Sequence, residues 1–148
     1  MDIGSVVDEY IDSADLERFR KAYEDQLNRG VPSAMTVFNY AHALIKSTKE
    51  DVILLRADSL TFIPMLLVRI GIFLLEGLLK RDTEDIPKRD YVYYLAIALT
   101  RIKDYDRALA YIDTLLAAES DNRQALDLKD LIQKRMKRDG LLGLAVLG

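Results

Sequence analysis

The sequence predicts an all-α protein: a six-helix bundle holding two helix pairs, the first interrupted by an apolar insert. Three observations carry this. Apolar residues recur at helical spacing through most of the chain, while alternating strand patterns are absent. Only three Pro and seven Gly occur in 148 residues, so breakers are few. Half the residues are hydrophobic and 30% are charged, which fits one water-facing body with a real core.

The pattern is clearest at Arg89–Asn122. Val92, Leu95, Ala96 and Leu99 mark the buried side of one helix, and Ala108, Ile112 and Leu115 that of the next, with a tight turn at Lys103-Asp104. The spacing matches the tetratricopeptide pattern W-x2-L-G-x2-Y…A-x3-F…P, with Val92, Leu99 and Ser120 in place of its Trp, Tyr and Pro. Ala96 and Ala108 stand where helices approach too closely for a larger side chain.

Residues 1–12 form an N-terminal arm in which Val6, Val7, Tyr10 and Ile11 interleave with acids. Two readings stand: a frayed terminus, or a segment that packs on the body and covers a binding surface. The bundle proper is expected over 13–138. Asp12 or Ser13 caps its first helix, whose Leu16, Phe19, Tyr23 and Leu27 form one buried face. Asn28-Arg29-Gly30 ends it, and Pro32 prevents continuation. Ser33 caps the second helix, 33–47, where Val37, Tyr40, Ala41 and Leu44 repeat the first half of the pattern. The second half returns only at Gly71 and Leu75. Ala96 and Ala108 are 12 positions apart and Ala41 and Gly71 are 30 apart, so about 18 residues are extra.

Most of the excess is ILLRADSLTFIPMLLV, Ile53–Val68, which is apolar where an insertion is normally polar. Pro64 is tolerated in a first helical turn, so a helix is expected over about 64–80. A membrane span over 60–79 would enclose Arg69 and Glu76, and a central Arg alone costs ~2.5–3.5 kcal/mol. The repeat phase already accounts for Gly71–Leu79 as core. Asp85 and Pro87 open the helix at 87–102, and 104–118 is the next. Asp121 with Gln124 resembles a capping box for the last helix, whose inner side carries Ala125, Leu128, Leu131 or Ile132, and Met136.

Lys134, Arg135, Lys137 and Arg138 are followed by Asp139-Gly140 and LLGLAVLG. A basic cluster before an apolar run looks like the cytosolic flank of a membrane anchor, the alternative being a solvated helix face. A span needs ~20 apolar residues, so 139–148 is read as the start of a truncated C-terminal membrane anchor.

No catalytic function is expected. His42 is the lone histidine, there is no Cys, and no phosphate-binding glycine loop is present. No metal, cofactor or small-molecule substrate is therefore predicted. A net charge of −3 argues against nucleic acid as main partner. Between the packing marks lie two stripes: Met35, Phe38, His42, Ile45 and Lys46, and Tyr93, Ile97, Thr100 and Arg101. In a tetratricopeptide stack these positions face a concave groove, and their character suggests a hydrophobic peptide groove with a basic end. The other reading is that some complete the core, Ile97 above all. Neither stripe carries the Lys and Asn clamp with which co-chaperone adaptors hold a carboxyl terminus.

Four segments together resemble the mitochondrial fission 1 protein family: FNYAHALIKS (38–47), GIFLLEGLL (71–79), RDYVYYLAIALTRIKDYDRALAYIDTLL (89–116) and MKRDGLLGLAVLG (136–148). The resemblance covers nearly the whole chain. It implies a tail-anchored, non-enzymatic adaptor on the cytosolic face of the outer mitochondrial membrane, and also of peroxisomes. Such an adaptor recruits dynamin-related GTPases or their adaptor proteins. It also implies an arm that folds against the groove, a role open to Val6, Val7, Tyr10 and Ile11. Family members have a short loop where Ile53–Val68 lies, and this chain departs from them there. The competing function is a soluble tetratricopeptide scaffold or co-chaperone-like adaptor without a membrane role.

Overall fold

A computed structural model of the chain describes residues 3–8, 13–47, 59–81 and 86–140. Among these, seven helices are formed and no strand: α1 (Ile3–Asp8), α2 (Ser13–Arg29), α3 (Ala34–Ile45), α4 (Ser59–Leu79), α5 (Lys88–Arg101), α6 (Tyr105–Ala118) and α7 (Arg123–Arg138). Helices α2 to α7 are the expected bundle, and α1 lies within the arm. Tyr10, Ile11, Asp12, Asp85 and the tail at 141–148 lie outside the described residues, as does 53–58 of the insert.

From α2 onward each helix packs on its successor. Two further sets of contacts sort them into layers. Phe38 and His42 of α3 meet Tyr94 of α5 with ring centroids 5.5 and 4.9 Å apart, and α1 packs on both α5 and α7. Helices α3, α5 and α7 therefore share the inner layer. Glu76 of α4 accepts hydrogen bonds from Arg107 (2.5 Å) and Tyr111 (3.4 Å) of α6, so α4 and α6 share the outer one.

The ends of the helices are set by local chemistry. Ser33 caps α3, its hydroxyl accepting from the Thr36 backbone N–H at 3.2 Å. The α5–α6 turn closes α5 with a Schellman pair: Asp104 N–H to the Leu99 carbonyl (2.8 Å) and Lys103 N–H to that of Thr100 (3.1 Å). The geometry needs a left-handed residue, and Lys103 supplies it at φ 62°.

Three expectations are corrected. The last helix is capped by Asn122, whose side chain accepts from Ala125 N–H at 3.1 Å, whereas Asp121 accepts from the Ser120 hydroxyl. Helix α4 begins at Ser59, so Pro64 stands in its second turn rather than its first. Leu27 is 50% exposed, α2 packing chiefly on α3.

The small residues act as close-contact points. Ala41, Ala96 and Ala108 are fully buried. A Cβ on Gly71 would stand 2.8 Å from Ile45 Cγ1 and 2.9 Å from the Ala41 carbonyl oxygen, so α3 and α4 touch backbone to backbone there. Of the two candidates on α7, Ile132 is the core residue and Leu131 is half-buried. No described helix is long and apolar enough to cross a membrane.

Candidate functional site on the inner layer

The inner layer is built from aromatic side chains at its α3–α5 seam and closed by α1 at its α5–α7 seam. On α3, Phe38 and His42 are one turn apart, so they share a face, with centroids 5.9 Å apart. On α5, Tyr94 lies edge-on to His42, and Tyr93 edge-on to Tyr94 at 5.6 Å. Lys46 places its ammonium 5.8 Å from the Tyr94 ring centre. Tyr91, buried, backs Phe38 at 5.9 Å. All of Phe38, His42, Tyr93 and Tyr94 are half-buried, and Met35 at the end of the row is 49% exposed. The result is a row of ring faces and edges partly open to solvent. Burial pushes the Tyr93 phenol above its ordinary 10.0, with Tyr94 and Asp127 adding to the rise. It is therefore a neutral hydrogen-bonding group at physiological pH.

The other predicted groove residues are placed differently. Ile45, Ile97, Thr100 and Arg101 are fully buried and Lys46 nearly so, so they are not open surface in this conformation. Residues 95–101 of α5 are buried without a break. A helix buried all round has neighbours on every side; here they are α4, α6 and, on the inner side, α1. Val7 of α1 is fully buried, Val6 half-buried, and the Arg101 guanidinium donates to the Val7 carbonyl at 2.8 Å. Thr100 turns its hydroxyl back onto the Ala96 carbonyl at 2.6 Å, which satisfies it inside the core.

Tyr94 is absent from the predicted set, although it touches more of the row than any residue in that set. The signal available is its place three residues before Ile97, on the same helical face.

At the end of α7, Lys134, Lys137 and Arg138 are exposed and Arg135 is buried beside Met136. Arg135 thus belongs to the inner side of the helix and not to a solvated basic face. Asp139 accepts from the Tyr105 hydroxyl at 2.8 Å and from Arg138 at 3.1 Å, with Lys103 3.6 Å away. Burial alone would raise its pKa; the two hydrogen bonds and the Arg138 and Lys103 charges outweigh that and hold it below the ordinary 3.8. Among the described residues no cluster of metal-ligating side chains occurs.

Comparison with known proteins identifies the family and the fold. Residues 89–141 match the family model of the Fis1 C-terminal tetratricopeptide repeat. The fold is similar to that of yeast Fis1, solved in complex with an Mdv1 fragment containing N-terminal extension and coiled coil domains. The TM-score is 0.71 at 27% identity, covering 91% of this chain and 92% of that one. The human mitochondrial fission 1 protein is 38% identical over 144 residues, 97% of this chain and 84% of the relative. The FIS1-related protein fis-2 of Caenorhabditis elegans is 45% identical over 148 residues, all of this chain and 88% of the relative. The chain belongs to the mitochondrial fission 1 protein family.

Proposed function

We propose that this chain is a non-enzymatic adaptor that recruits division machinery to the cytosolic face of the outer mitochondrial membrane, and to peroxisomes. Its tail, beginning at 139–148, holds it there. The observation that carries the reading is the aromatic row Phe38–His42–Tyr94–Tyr93, half-open along the α3–α5 seam and continued by exposed Met35. Apolar rings with polar edges suit the apolar face of a helix or extended peptide. The yeast relative was solved with a fragment of Mdv1 that includes a coiled coil. A partner of that kind, an adaptor linking the chain to a dynamin-related GTPase, fits this row.

The test uses the exposed end and the middle of the row. Met35→Glu combined with Tyr94→Ala is expected to weaken binding of a helical adaptor fragment at least ~10-fold, as loss of a central aromatic anchor does. Circular dichroism should show unchanged helicity. Full affinity in the folded double variant overturns the assignment. Ile97→Arg is unsuitable, because it forces a charge into a fully buried position and unfolds the helix packing around it.

A further inference from the structure

The second helix pair is tightly joined at one end and open at the other. At the turn end it is closed by the bonds around Lys103, with Ala96 and Ala108 fully buried. At the opposite end the first turn of α5 is tied to the end of α6 by Arg89, whose Nη1 donates to Glu119 at 3.0 Å across 30 positions of chain. Between the helices there lies an open cleft of about 460 Å³. Its apolar lining is Pro87, Val92, Leu115 and Ala118. Its charged lining is Lys88, Arg89 and Glu119.

The sequence accounts for this cleft. Val92 stands where the tetratricopeptide pattern places Trp, and it lines the cleft half-buried. A valine leaves open the space that an indole would occupy. On the α6 side Ala118 is smaller still, so that helix does not fill the space either. The core is complete without an occupant, since Leu95, Ile112 and Leu115 are already buried. Beside the cleft a smaller hollow of about 220 Å³ is lined by Asp90, Tyr93, Asn122 and Gln124, and Arg89 and Leu115 line both spaces. The hollow offers a phenol, a carboxylate and the Gln124 amide, which are donors and acceptors of the kind a peptide main chain needs.

We propose that this cleft docks a partner segment of acidic and apolar character, one bulky side chain entering beside Val92 and Leu115 and an adjacent carboxylate held by Arg89 and Lys88. Charge complementarity selects the segment. The chain carries a net charge of −3, yet at the cleft Lys88 and Arg89 outnumber Glu119. The Glu119 carboxylate is engaged by Arg89 and by the Asn122 amide at 3.2 Å. A guanidinium has five N–H donors, so Arg89 has donors left for a second carboxylate beyond the one it holds. The adjoining hollow takes the main chain of the segment. One anchor side chain in such a cleft supplies most of the affinity. The cleft shares no residue with the aromatic row, so the two sites can be filled together.

The probe is an acetylated, amidated hexapeptide with one Trp between two Asp residues, titrated into the whole chain while amide chemical shifts are followed by NMR. Saturable shifts at Val92, Leu115 and Ala118 are expected. Replacing the peptide's Asp residues by Lys, or its Trp by Ala, should weaken binding at least ~10-fold. In the protein, Val92→Trp fills the cleft from α5 and should weaken the peptide by a similar factor without lowering the melting temperature. Ala118→Leu, at an exposed position that leaves the core untouched, blocks the cleft from α6 and should do the same. Full affinity in either folded variant overturns the proposal. Shifts confined to Phe38, His42 and Tyr94 assign the peptide to the aromatic row and also overturn it. So does the absence of any saturable shift up to ~1 mM peptide. Decanoate that gives the same shifts and displaces the peptide assigns the cleft to a free carboxylic amphiphile, which again overturns the peptide assignment.

Discussion

The two helix pairs, α3–α4 and α5–α6, solve the same packing problem with different resources. In the second pair the helices are joined by a turn of minimal length, closed by the Schellman bonds at Lys103. Its small residues, Ala96 and Ala108, are both fully buried alanines. In the first pair 13 positions, 46–58, separate the two helices, against three, 102–104, in the second. There Gly71 lies against the Ala41 carbonyl, with no room for a Cβ. Closing a longer loop adds only ~0.6 kcal/mol per doubling of length. A backbone-to-backbone fit therefore suffices to set the register that a short turn would otherwise set.

The largest expected effect tests whether the two pairs are equally well enclosed. Leu75 in α4 and Leu99 in α5 are both fully buried. Each change to Ala should cost ~2–5 kcal/mol, read as a lower urea midpoint. Leu99→Ala should cost more, because the stretch 95–101 around it is buried without a break, with α1, α4, α6 and α7 packed on α5. Equal costs would mean that the first pair is as tightly enclosed as the second.

Gly71→Ala isolates the register contact. Ile45 can move its side chain aside, but the Ala41 carbonyl cannot yield without shifting α3. A destabilisation of ~1–3 kcal/mol is expected despite the better helix propensity of Ala. A Cβ on Gly77, in the same helix, would meet nothing within 4 Å, so Gly77→Ala should stabilise by ~1 kcal/mol. If thermal melts show both changes to be stabilising, the close approach does not set the register.

The smallest effect concerns the far end of the second pair. Asp139 has a depressed pKa in the folded chain, so its contribution is present above the ordinary carboxylate value and is lost as pH falls through the folded one. Asp139→Asn should cost ~1 kcal/mol at neutral pH, and the gap to the parent chain should close below about pH 4. A gap that persists in acid would show that the Tyr105 hydrogen bond, rather than the charge, links α7 to the turn.

Much of this is legible in the sequence, for reasons that differ from element to element. The α5–α6 pair is readable because small and large residues recur at a fixed period. The Ser33 cap is readable because Ser33 is the one capping residue beside Pro32. The cap of α7 is displaced by one because Ser120, Asp121 and Asn122 can all cap, and only backbone angles choose between them. The start of α4 is misjudged because Pro64 marks a permitted first turn without requiring it. For the site, Phe38, His42 and Tyr93 can be placed from helical spacing alone. The burial of Arg101 cannot, since the carbonyl it bonds, that of Val7, comes from 94 positions away in the chain. Periodicity describes a helix and its face, and is silent about a distant segment laid across that face.

That segment has a thermodynamic consequence. Val7 and the Arg101–Val7 hydrogen bond make the α1 site an intramolecular ligand site, filled in the resting molecule. A ligand that needs the surface beneath α1 binds only the fraction of molecules from which α1 has departed, and its apparent dissociation constant rises by the reciprocal of that fraction. A ligand confined to the aromatic row bears no such penalty. On the adaptor reading proposed above, the inner layer would offer two affinities from one surface, set apart by the equilibrium of the six residues of α1.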